Sequence, residues 1–265
     1  MSDSSPNRGH DASVPLARAI DEPGSRALFG VVWILSQLLR RVTHRVWLDQ
    51  DKVPATGGAV FAVNHISNID PLSFGQYAAY SGRWPRFLGK ASVFRVPVVG
   101  RILLAAEQIP VERGSSRDSA HALSRAVEAV RAGQCVTIYP ERTITSDPDL
   151  WPMTGKTGAA RIAFETGCPV IPVGQWGAHE LMPGREPSFP RLFPRKTLRL
   201  KAGDPVDLDD LRARPVTAAV LAEATDKIMD AITALVADLR GEAPPAVRYD
   251  PRRAGTQDRP PGGPV

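Results

Sequence analysis

The sequence predicts a single α/β domain in which helices flank a mostly parallel β-sheet. Short apolar runs typical of strands alternate with longer stretches whose apolar residues recur every three or four positions, which is the pattern of an α/β fold. A length of 265 residues suffices for one sizeable core. The apolar fraction of 43% and the charged fraction of 23% are those of an ordinary globular protein.

The N-terminal region divides into two parts. Residues 1–25 are polar and lack the apolar core of a secretory signal, so they predict a disordered tail. Residues 26–43 predict a helix, but its uncharged part, residues 27–39, is only 13 residues long, whereas a spanning helix needs about 20. Trp33 and Trp47, together with arginines that flank the apolar part on both sides, favour an amphipathic helix that lies in the headgroup region of a membrane; an ordinary buried helix remains the alternative.

The elements of the main domain, residues 44–240, follow in order. Strands are predicted at 45–48, 59–63, 86–88, 135–139, 170–173 and 197–201, each a short run of apolar or β-branched residues. Helices are predicted from Asp70-Pro71 onward, over 116–131, from Thr157 to just before Gly167, and over 216–239. Residues 241–265 are rich in Pro, Gly and Arg and predict a second disordered tail.

Net charge and cysteine content indicate which kinds of ligand the chain could bind. The net charge of +5 favours an anionic partner, such as nucleic acid, anionic lipid or a phosphorylated substrate. The positive charge is spread along the chain without interleaved aromatic residues, which argues against nucleic acid. Cys135 and Cys168 border apolar runs and are predicted to be reduced core residues. No Cys/His set has metal-ligand spacing, so no metal site is predicted.

The segment NHISNID, residues 64–70, carries the first candidate chemistry. On one continuous helix, His65 and Asp70 would lie about 140° apart and could not pair. They can pair if His65 ends a strand and Asp70 opens a helix, because the intervening loop can then fold one side chain over the other. The carboxylate would hold one ring nitrogen as N–H and leave the other free to accept a proton. Alternatively, Asp70 is only the N-cap of the helix that Pro71 begins.

Further polar residues follow other predicted strands. They comprise Arg113 in QIPVERG and Glu141, Arg142 and Thr143 in YPERT. Ligand sites in α/β folds lie where strands end, so we expect these residues to gather at one site. Lys156 and the first N–H groups of the helix after it could bind an anion there.

The ordered blocks NHISNID, IPVER, YPERT and VIPV resemble those of the glycerolipid acyltransferase family. This is the family of the 1-acylglycerol-3-phosphate, or lysophosphatidic acid, acyltransferases, and the resemblance covers roughly residues 45–205. It implies an α/β fold with a mixed sheet. Many members carry an N-terminal helical membrane anchor, which corresponds in position to the segment 26–43.

The resemblance also implies roles for individual residues. His65 would be the general base and Asp70 its orienting partner. The glycerol-phosphate head group would be held by Arg113, Glu141 and Thr143. Pro172, in the fourth block, would shape the acyl-thioester side.

The third block departs from the family pattern. Arg142 stands where the family usually has glycine, and Ile144 stands where it usually has arginine. Arginine tolerates the backbone conformations of glycine poorly. We therefore expect either a reshaped loop or an Arg142 that supplies the missing positive charge.

The expected reaction is transfer of a fatty acyl group from a thioester to the free hydroxyl of 1-acyl-sn-glycerol-3-phosphate, giving phosphatidic acid. The donor would be acyl-CoA or acyl carrier protein, and no other cofactor is expected. The alternatives are another acceptor (glycerol-3-phosphate, another lysophospholipid or a glycolipid) and a non-catalytic lipid-binding protein. The expected location is the cytoplasmic face of the cell membrane, in peripheral or monotopic contact.

Overall fold

The computed structural model describes residues 26–105, 108–111, 116–184 and 189–253. The strands in these ranges are β1 (Thr43–Leu48), β2 (Ala59–Val63), β3 (Pro85–Lys90), β4 (Ile109–Val111), β5 (Cys135–Ile138), β6 (Val170–Trp176) and β7 (Lys196–Ala202). The helices are α1 (Arg26–Val42), α2 (Asp70–Tyr80), α3 (Ala91–Phe94), α4 (Val99–Ala105), α5 (Ser116–Arg131), α6 (Gly158–Thr166), α7 (Ala178–Leu181), α8 (Asp209–Arg212) and α9 (Ala218–Arg240).

The seven strands form one mixed, mostly parallel sheet, which confirms the expected fold class. Their order is β1-β7-β6-β2-β5-β3-β4. The five strands from β6 to β4 in this order all run in one direction. β7 pairs antiparallel with β6, and β1 is parallel to β7, so these two run the opposite way. β2, β5 and β6 therefore end at the edge of the sheet where β1 and β7 begin.

Helices cover both faces of this sheet, and β2 shows which helices cover which face. Val60 and Ala62 pack in a cluster with residues of α5, α6 and α9, whereas Phe61 and Val63 pack in a cluster with residues of α2. Successive side chains of a strand point to opposite faces, so a strand covered on both sides reads as a continuous apolar run. All of β2 is buried accordingly. Both cysteines are buried in these clusters and are free, as predicted.

The helix boundaries follow local sequence signals. Pro71 occupies the first turn of α2, where its missing N–H costs no helical hydrogen bond. The hydroxyl of Thr217 accepts a hydrogen bond of 3.2 Å from the N–H of Val220 and caps the start of α9. Gly241 ends α9 with φ 68°, a left-handed conformation that favours glycine.

Helix α1 packs one face on the domain. The ring of Phe29 lies 5.5 Å from that of Trp84, and Ser36 and Leu39 are buried. The backbone carbonyl of Ser36 accepts a hydrogen bond of 3.1 Å from the side chain of Gln76 in α2. Within the described ranges, every helix is too short or too polar to cross a bilayer. The predicted helix is thus present, and its contact with a membrane remains a prediction.

Part of the predicted C-terminal tail is attached to the domain. The Arg248 guanidinium forms ion pairs with Asp226 and Asp230 of α9. The backbone carbonyl of Tyr249 accepts a hydrogen bond of 3.0 Å from the N–H of Thr154. The expectation of disorder therefore does not hold for residues 241–253, because composition alone does not report these contacts. Residues 254–265 and the predicted N-terminal tail 1–25 lie outside the described residues.

Candidate active site

His65 and Asp70 form a hydrogen-bonded pair at the edge of the sheet where β2 ends. Asp70 opens α2, and the loop between them folds the carboxylate under the imidazole, so that Asp70 Oδ2 lies 2.8 Å from His65 Nδ1. Because the carboxylate accepts, Nδ1 carries the hydrogen. The Asp70 side chain is fully buried, whereas that of His65 is 17% exposed. Within the described part of the chain, Nε2 makes no hydrogen bond, so it is the nitrogen that can accept a proton.

Asp70 also organises the loop that carries His65. Its Oδ2 accepts hydrogen bonds from the backbone N–H groups of Ile66 at 2.6 Å and Ser67 at 2.8 Å. The N-cap of α2 is Ile69, so the alternative in which Asp70 merely caps this helix is wrong. Burial raises the pKa of Asp70, while the contacts with His65 and the two N–H groups act in the opposite direction.

Glu141, in the loop after β5, supports the loop that carries His65. It is 3% exposed, and Oε1 accepts a hydrogen bond of 2.8 Å from the backbone N–H of His65, while Oε2 accepts one of 3.1 Å from that of Met153. Burial raises the pKa of Glu141 to about 8 despite these two donors. In the structure, Glu141 stabilises the loop of residues 64–70, called here the histidine loop. The head-group contact predicted for Glu141 remains a prediction.

Two residues with no predicted role fix the end of β2 against β6. Asn64 Nδ2 donates to the backbone carbonyl of Gln175 at 3.0 Å, and Asn64 Oδ1 accepts from the Gln175 N–H at 2.8 Å. Gln175 Nε2 in turn donates to the Asn64 carbonyl at 2.6 Å. Both side chains are buried. The three bonds hold the backbone immediately before His65, which limits how far the imidazole can move.

Tyr139 covers one face of the imidazole, and sequence reasoning gave it no role. Its ring stacks on that of His65 with centroids 4.3 Å apart and planes 23° apart. Burial raises the pKa of Tyr139 well above its usual value, and the nearby Asp70 charge adds to the rise. Tyr139 therefore stays a neutral phenol. Because it follows β5, only the pairing of β5 with β2 brings it to His65.

The cationic candidates lie around the loop after β5. Arg142 and Thr143 are exposed, and the backbone N–H of Lys156 donates to the carbonyl of Pro140 at 2.9 Å. Burial lowers the pKa of Lys156, and the positive charges of Arg252 and Arg142 lower it further. Arg252 and Arg142 therefore both lie close to Lys156, and the nearby Asp250 carboxylate acts on its pKa in the opposite direction. The contribution of Arg252 was not predicted, because it comes from the C-terminal segment.

Two other predicted site residues, Arg113 and Pro172, remain to be placed. Arg113 lies outside the described residues. Pro172 is buried in β6 opposite Ala62, and its carbonyl accepts a hydrogen bond of 2.8 Å from the N–H of Gly203. The role predicted for Pro172 on the acyl side remains a prediction. Among the described side chains, no group of three His, Cys, Asp or Glu could hold a metal ion.

Comparison with known proteins relates this site to a family. The sequence matches the family described as Acyltransferase over residues 44–176, which is just over half of the chain. The chain belongs to the acyltransferase family. The matched range contains every described residue of the histidine loop and of the loop after β5, and it confirms the resemblance noted in the sequence.

Individual relatives of this acyltransferase-family chain agree with the match. It is 35% identical to the chloroplastic 1-acyl-sn-glycerol-3-phosphate acyltransferase BAT2 of Brassica napus over 47% of this chain and 34% of that protein. It is 32% identical to a 1-acyl-sn-glycerol-3-phosphate acyltransferase of Borreliella burgdorferi over 46% of this chain and 47% of that protein. The chain thus spans between a third and a half of the length of these curated relatives.

A solved structure supports the fold. The crystal structure of the 1-acyl-sn-glycerophosphate acyltransferase PlsC from Thermotoga maritima superimposes with a TM-score of 0.58 at 20% identity. The superposition covers 87% of this chain and 88% of that chain. At this identity the likeness is one of fold.

The departure of this chain from the family pattern has a structural basis. Arg142, at the position where the family usually has glycine, adopts φ 64°. This left-handed region costs a non-glycine residue about 1–2 kcal/mol, which explains why glycine suits the position. Ile144, where the family usually has arginine, is 6% exposed and packs inward. Arg142, not residue 144, is therefore the exposed cation of the segment YPERTI.

Proposed function

We propose that this chain transfers a fatty acyl group from a thioester to the free hydroxyl of 1-acyl-sn-glycerol-3-phosphate, with His65 as general base. The observation that carries the proposal is the 2.8 Å contact between His65 Nδ1 and Asp70 Oδ2. It fixes the tautomer and orientation of the ring and leaves Nε2 to accept a proton. The printed activity of the curated relatives supports the acceptor class.

The reaction follows from this geometry. His65 Nε2 takes the hydroxyl proton as the acceptor oxygen attacks the thioester carbonyl, and the buried Asp70 carboxylate stabilises the imidazolium that forms. Collapse of the tetrahedral intermediate breaks the carbon–sulfur bond. The leaving thiolate takes the proton from the imidazolium, so the products are an ester and a free thiol. Acyl-CoA and acylated acyl carrier protein both carry the acyl group as a thioester, so either could be the donor.

The phosphate of the acceptor is proposed to bind at the loop after β5. Arg142 and Arg252 each lie close enough to Lys156 to lower its pKa, and Asp250 offsets part of this positive charge. A phosphate held by these cations would fix the acceptor hydroxyl relative to the imidazole, and such positioning can contribute as much to the rate as the base itself. Arg113, as implied by the resemblance, would add to this group. The acceptor specificity is thus proposed to depend on charge outside the His65–Asp70 pair.

An assay of thioester consumption with lysophosphatidic acid tests the proposal. We expect His65→Ala to lower turnover by about 10²–10⁴, the contribution of a positioned general base. His121→Ala, which changes an exposed histidine of α5, is the matched control and should retain wild-type turnover. Acyl-CoA and acyl carrier protein thioesters are tested separately, because either can be the donor. Equal turnover of wild type and His65→Ala would leave the chain as a lipid-binding protein without this catalytic role.

The acceptor alternatives are tested in the same assay. Glycerol-3-phosphate, another lysophospholipid and a glycolipid each replace lysophosphatidic acid in turn, with one labelled acyl thioester. The proposal requires the phosphate-bearing acceptor to be preferred. The membrane is proposed as the place of reaction, and its cytoplasmic face remains a prediction.

A further inference from the structure

The loop that leads into β7, residues 189–195 with the sequence FPRLFPR, exposes two phenylalanine rings. Phe189 is 96% exposed and Phe193 is 84% exposed, and Leu192 between them is 38% exposed. Full burial of a phenylalanine side chain is worth about 1.5–3 kcal/mol. Two rings left in water are therefore a considerable unfavourable exposure, which is typical of a surface that another apolar phase covers.

Hydrogen bonds from Arg191 and Arg195 attach this loop to the domain. Arg195 Nη2 donates to the backbone carbonyls of Arg40 at 2.7 Å and Thr43 at 2.6 Å, where α1 passes into β1. The backbone N–H of Arg191 donates to the carbonyl of Leu181 in α7 at 2.7 Å. The two arginines that flank Phe193 thus attach the loop to the domain, while the rings of Phe189 and Phe193 stay exposed.

Helix α1, whose last turn contacts this loop through Arg40, exposes a second apolar surface. Ile34 and Leu38 are 54% and 52% exposed, although Ser36 and Leu39 on the opposite side of the helix are buried. A surface helix that buries one face normally exposes polar residues on the other. Here Trp33 and Leu35 extend the exposed apolar surface. We call the exposed apolar residues of α1 and of the loop 189–195 together the apolar rim.

Within the two chain segments that carry the apolar rim, every charged residue is a Lys or Arg, although Glu180 of α7 is exposed nearby. Residues 26–48 contain four arginines and residues 189–202 contain five Lys or Arg, and neither segment contains an Asp or Glu. Arg40 and Arg41 are exposed at the end of α1, and Arg191 is exposed in the loop. Exposed aromatic and aliphatic groups ringed by cations match an anionic bilayer, whose surface attracts each such cation by about 1 kcal/mol.

The apolar rim lies beside the histidine loop. β1 and β7 both begin at the edge where β2 ends, so α1 and the loop 189–195 reach the sheet at the same edge as His65. Ser67 Oγ donates to the backbone carbonyl of Met182 at 2.7 Å, directly after α7. Ile66, Leu39 and Leu181 pack in one buried cluster. A bilayer at the rim would therefore be adjacent to the loop that carries the base.

We infer that the loop 189–195 is a membrane-inserting element that docks the catalytic edge, together with α1, on an anionic phospholipid bilayer. Phe189 and Phe193 enter the acyl region, and the arginines contact lipid phosphates. The inference rests on the proposed function in one respect, because that function requires the site to reach a lipid substrate. Its own support is the exposure, anchoring and charge of the rim.

Vesicle binding in the absence of substrates tests the inference separately from catalysis. The full chain is sedimented with vesicles of phosphatidylglycerol and phosphatidylcholine. We expect the double variant Phe189→Ser/Phe193→Ser to bind at least about tenfold more weakly than wild type. The control Val216→Ser/Val247→Ser removes two valines that are 64% and 76% exposed outside the rim, and it should bind like wild type. Thermal unfolding should be unchanged in both variants.

A second measurement distinguishes docking from catalysis. The phenylalanine variant should retain turnover within about twofold on a detergent-dispersed acceptor and lose it on the same acceptor embedded in vesicles. Wild-type vesicle binding by the phenylalanine variant would overturn the inference. So would a concentration-dependent dimer of the wild type that the variant loses while its vesicle binding persists, because the rim would then cover a second copy of the chain.

Discussion

At the scale of single residues, the site depends on one oxygen atom. Asp70 Oδ2 accepts hydrogen bonds from His65 Nδ1 and from two backbone N–H groups, whereas Oδ1 has no hydrogen-bond partner among the described residues. An asparagine can keep its carbonyl oxygen in the position of Oδ2 and place its amide in that of Oδ1. Asp70→Asn can therefore remove the negative charge of this side chain and keep the oxygen that accepts the hydrogen bonds.

We expect Asp70→Asn to fold like wild type and to lower turnover by about 10²–10⁴, because a neutral amide cannot stabilise an imidazolium. Steady-state turnover and thermal unfolding of the same preparations check this. Asp147→Asn, a change in a partly exposed loop carboxylate, is the control for general effects of charge removal. Wild-type turnover in Asp70→Asn would reduce Asp70 to a loop-folding role.

Glu141 predicts a pH dependence of stability. Its pKa is about 8 in the folded chain against an ordinary 4.5, so between these values the folded chain holds more protons than the unfolded chain. The free energy of unfolding should therefore fall as the pH rises from 4.5 to 8, by up to about 1.4 kcal/mol per pH unit for a single proton. Chemical denaturation across this range should show a shallower slope in Glu141→Gln. Exposed Glu165→Gln is the control and should keep the wild-type slope; an identical slope in all three would refute the prediction.

Arg142 predicts opposite effects on stability and binding. Arg142→Gly removes the left-handed strain at φ 64° and should raise the free energy of unfolding by about 1 kcal/mol. The same change removes an exposed cation worth about 1 kcal/mol in an ion pair, so KM for the phosphate-bearing acceptor should rise about fivefold. Denaturation and acceptor titration measure the two effects. Arg142→Lys keeps the charge, so its KM should equal that of wild type. It should not share the gain in stability of Arg142→Gly.

At the scale of elements, the packing of α9 on β6 depends on a residue without a side chain. A Cβ added at Gly174 would lie 2.8 Å from that of Leu235 and 3.1 Å from the backbone nitrogen of Val236, too close for either to yield easily. We expect Gly174→Ala to lower the free energy of unfolding by about 1–3 kcal/mol. Gly158→Ala, in α6 with open space around it, should be neutral or slightly stabilising. Denaturant titration of both variants checks the pair, and equal stabilities would contradict this account of the packing.

The elements predicted from sequence are those with a strong local pattern. The predicted bounds 116–131 coincide with α5, and β2 was predicted as observed, because amphipathic period and buried apolar runs are local signals. β4 has three residues, and α3, α7 and α8 have four each, so none offers a full period to recognise. The attachment of residues 241–253 was not predicted, because the ion pairs between Arg248 and α9 cannot be read from composition.

In the candidate site, too, only the residues with a local sequence signal could be predicted. His65 and Asp70 lie five residues apart, and the strand before them and the helix after them dictate their meeting. The stacking of Tyr139 and the bonds between Asn64 and Gln175 depend on β2 lying between β5 and β6. Strand order is set by long-range packing, which a single sequence does not display.

At the scale of the whole molecule, the net charge of +5 predicts a salt dependence. Binding to anionic vesicles should weaken at least about tenfold between about 0.05 M and 0.5 M NaCl, because screening acts on exposed cations. Sedimentation at several salt concentrations checks this. Vesicles of phosphatidylcholine alone are the control and should show weaker binding with little salt dependence. Salt-independent binding to anionic vesicles would mean that apolar insertion alone holds the chain.

The reversed direction of β1 and β7 has a kinetic consequence. Had they run with the other five strands, the segments that lead into them would start at the opposite rim of the sheet, far from His65. As it is, a docked enzyme would meet its acceptor by sideways diffusion within one leaflet, and the lipid would need to rise only slightly to react. The encounter rate would then follow the mole fraction of acceptor in the leaflet rather than its amount per volume of solution.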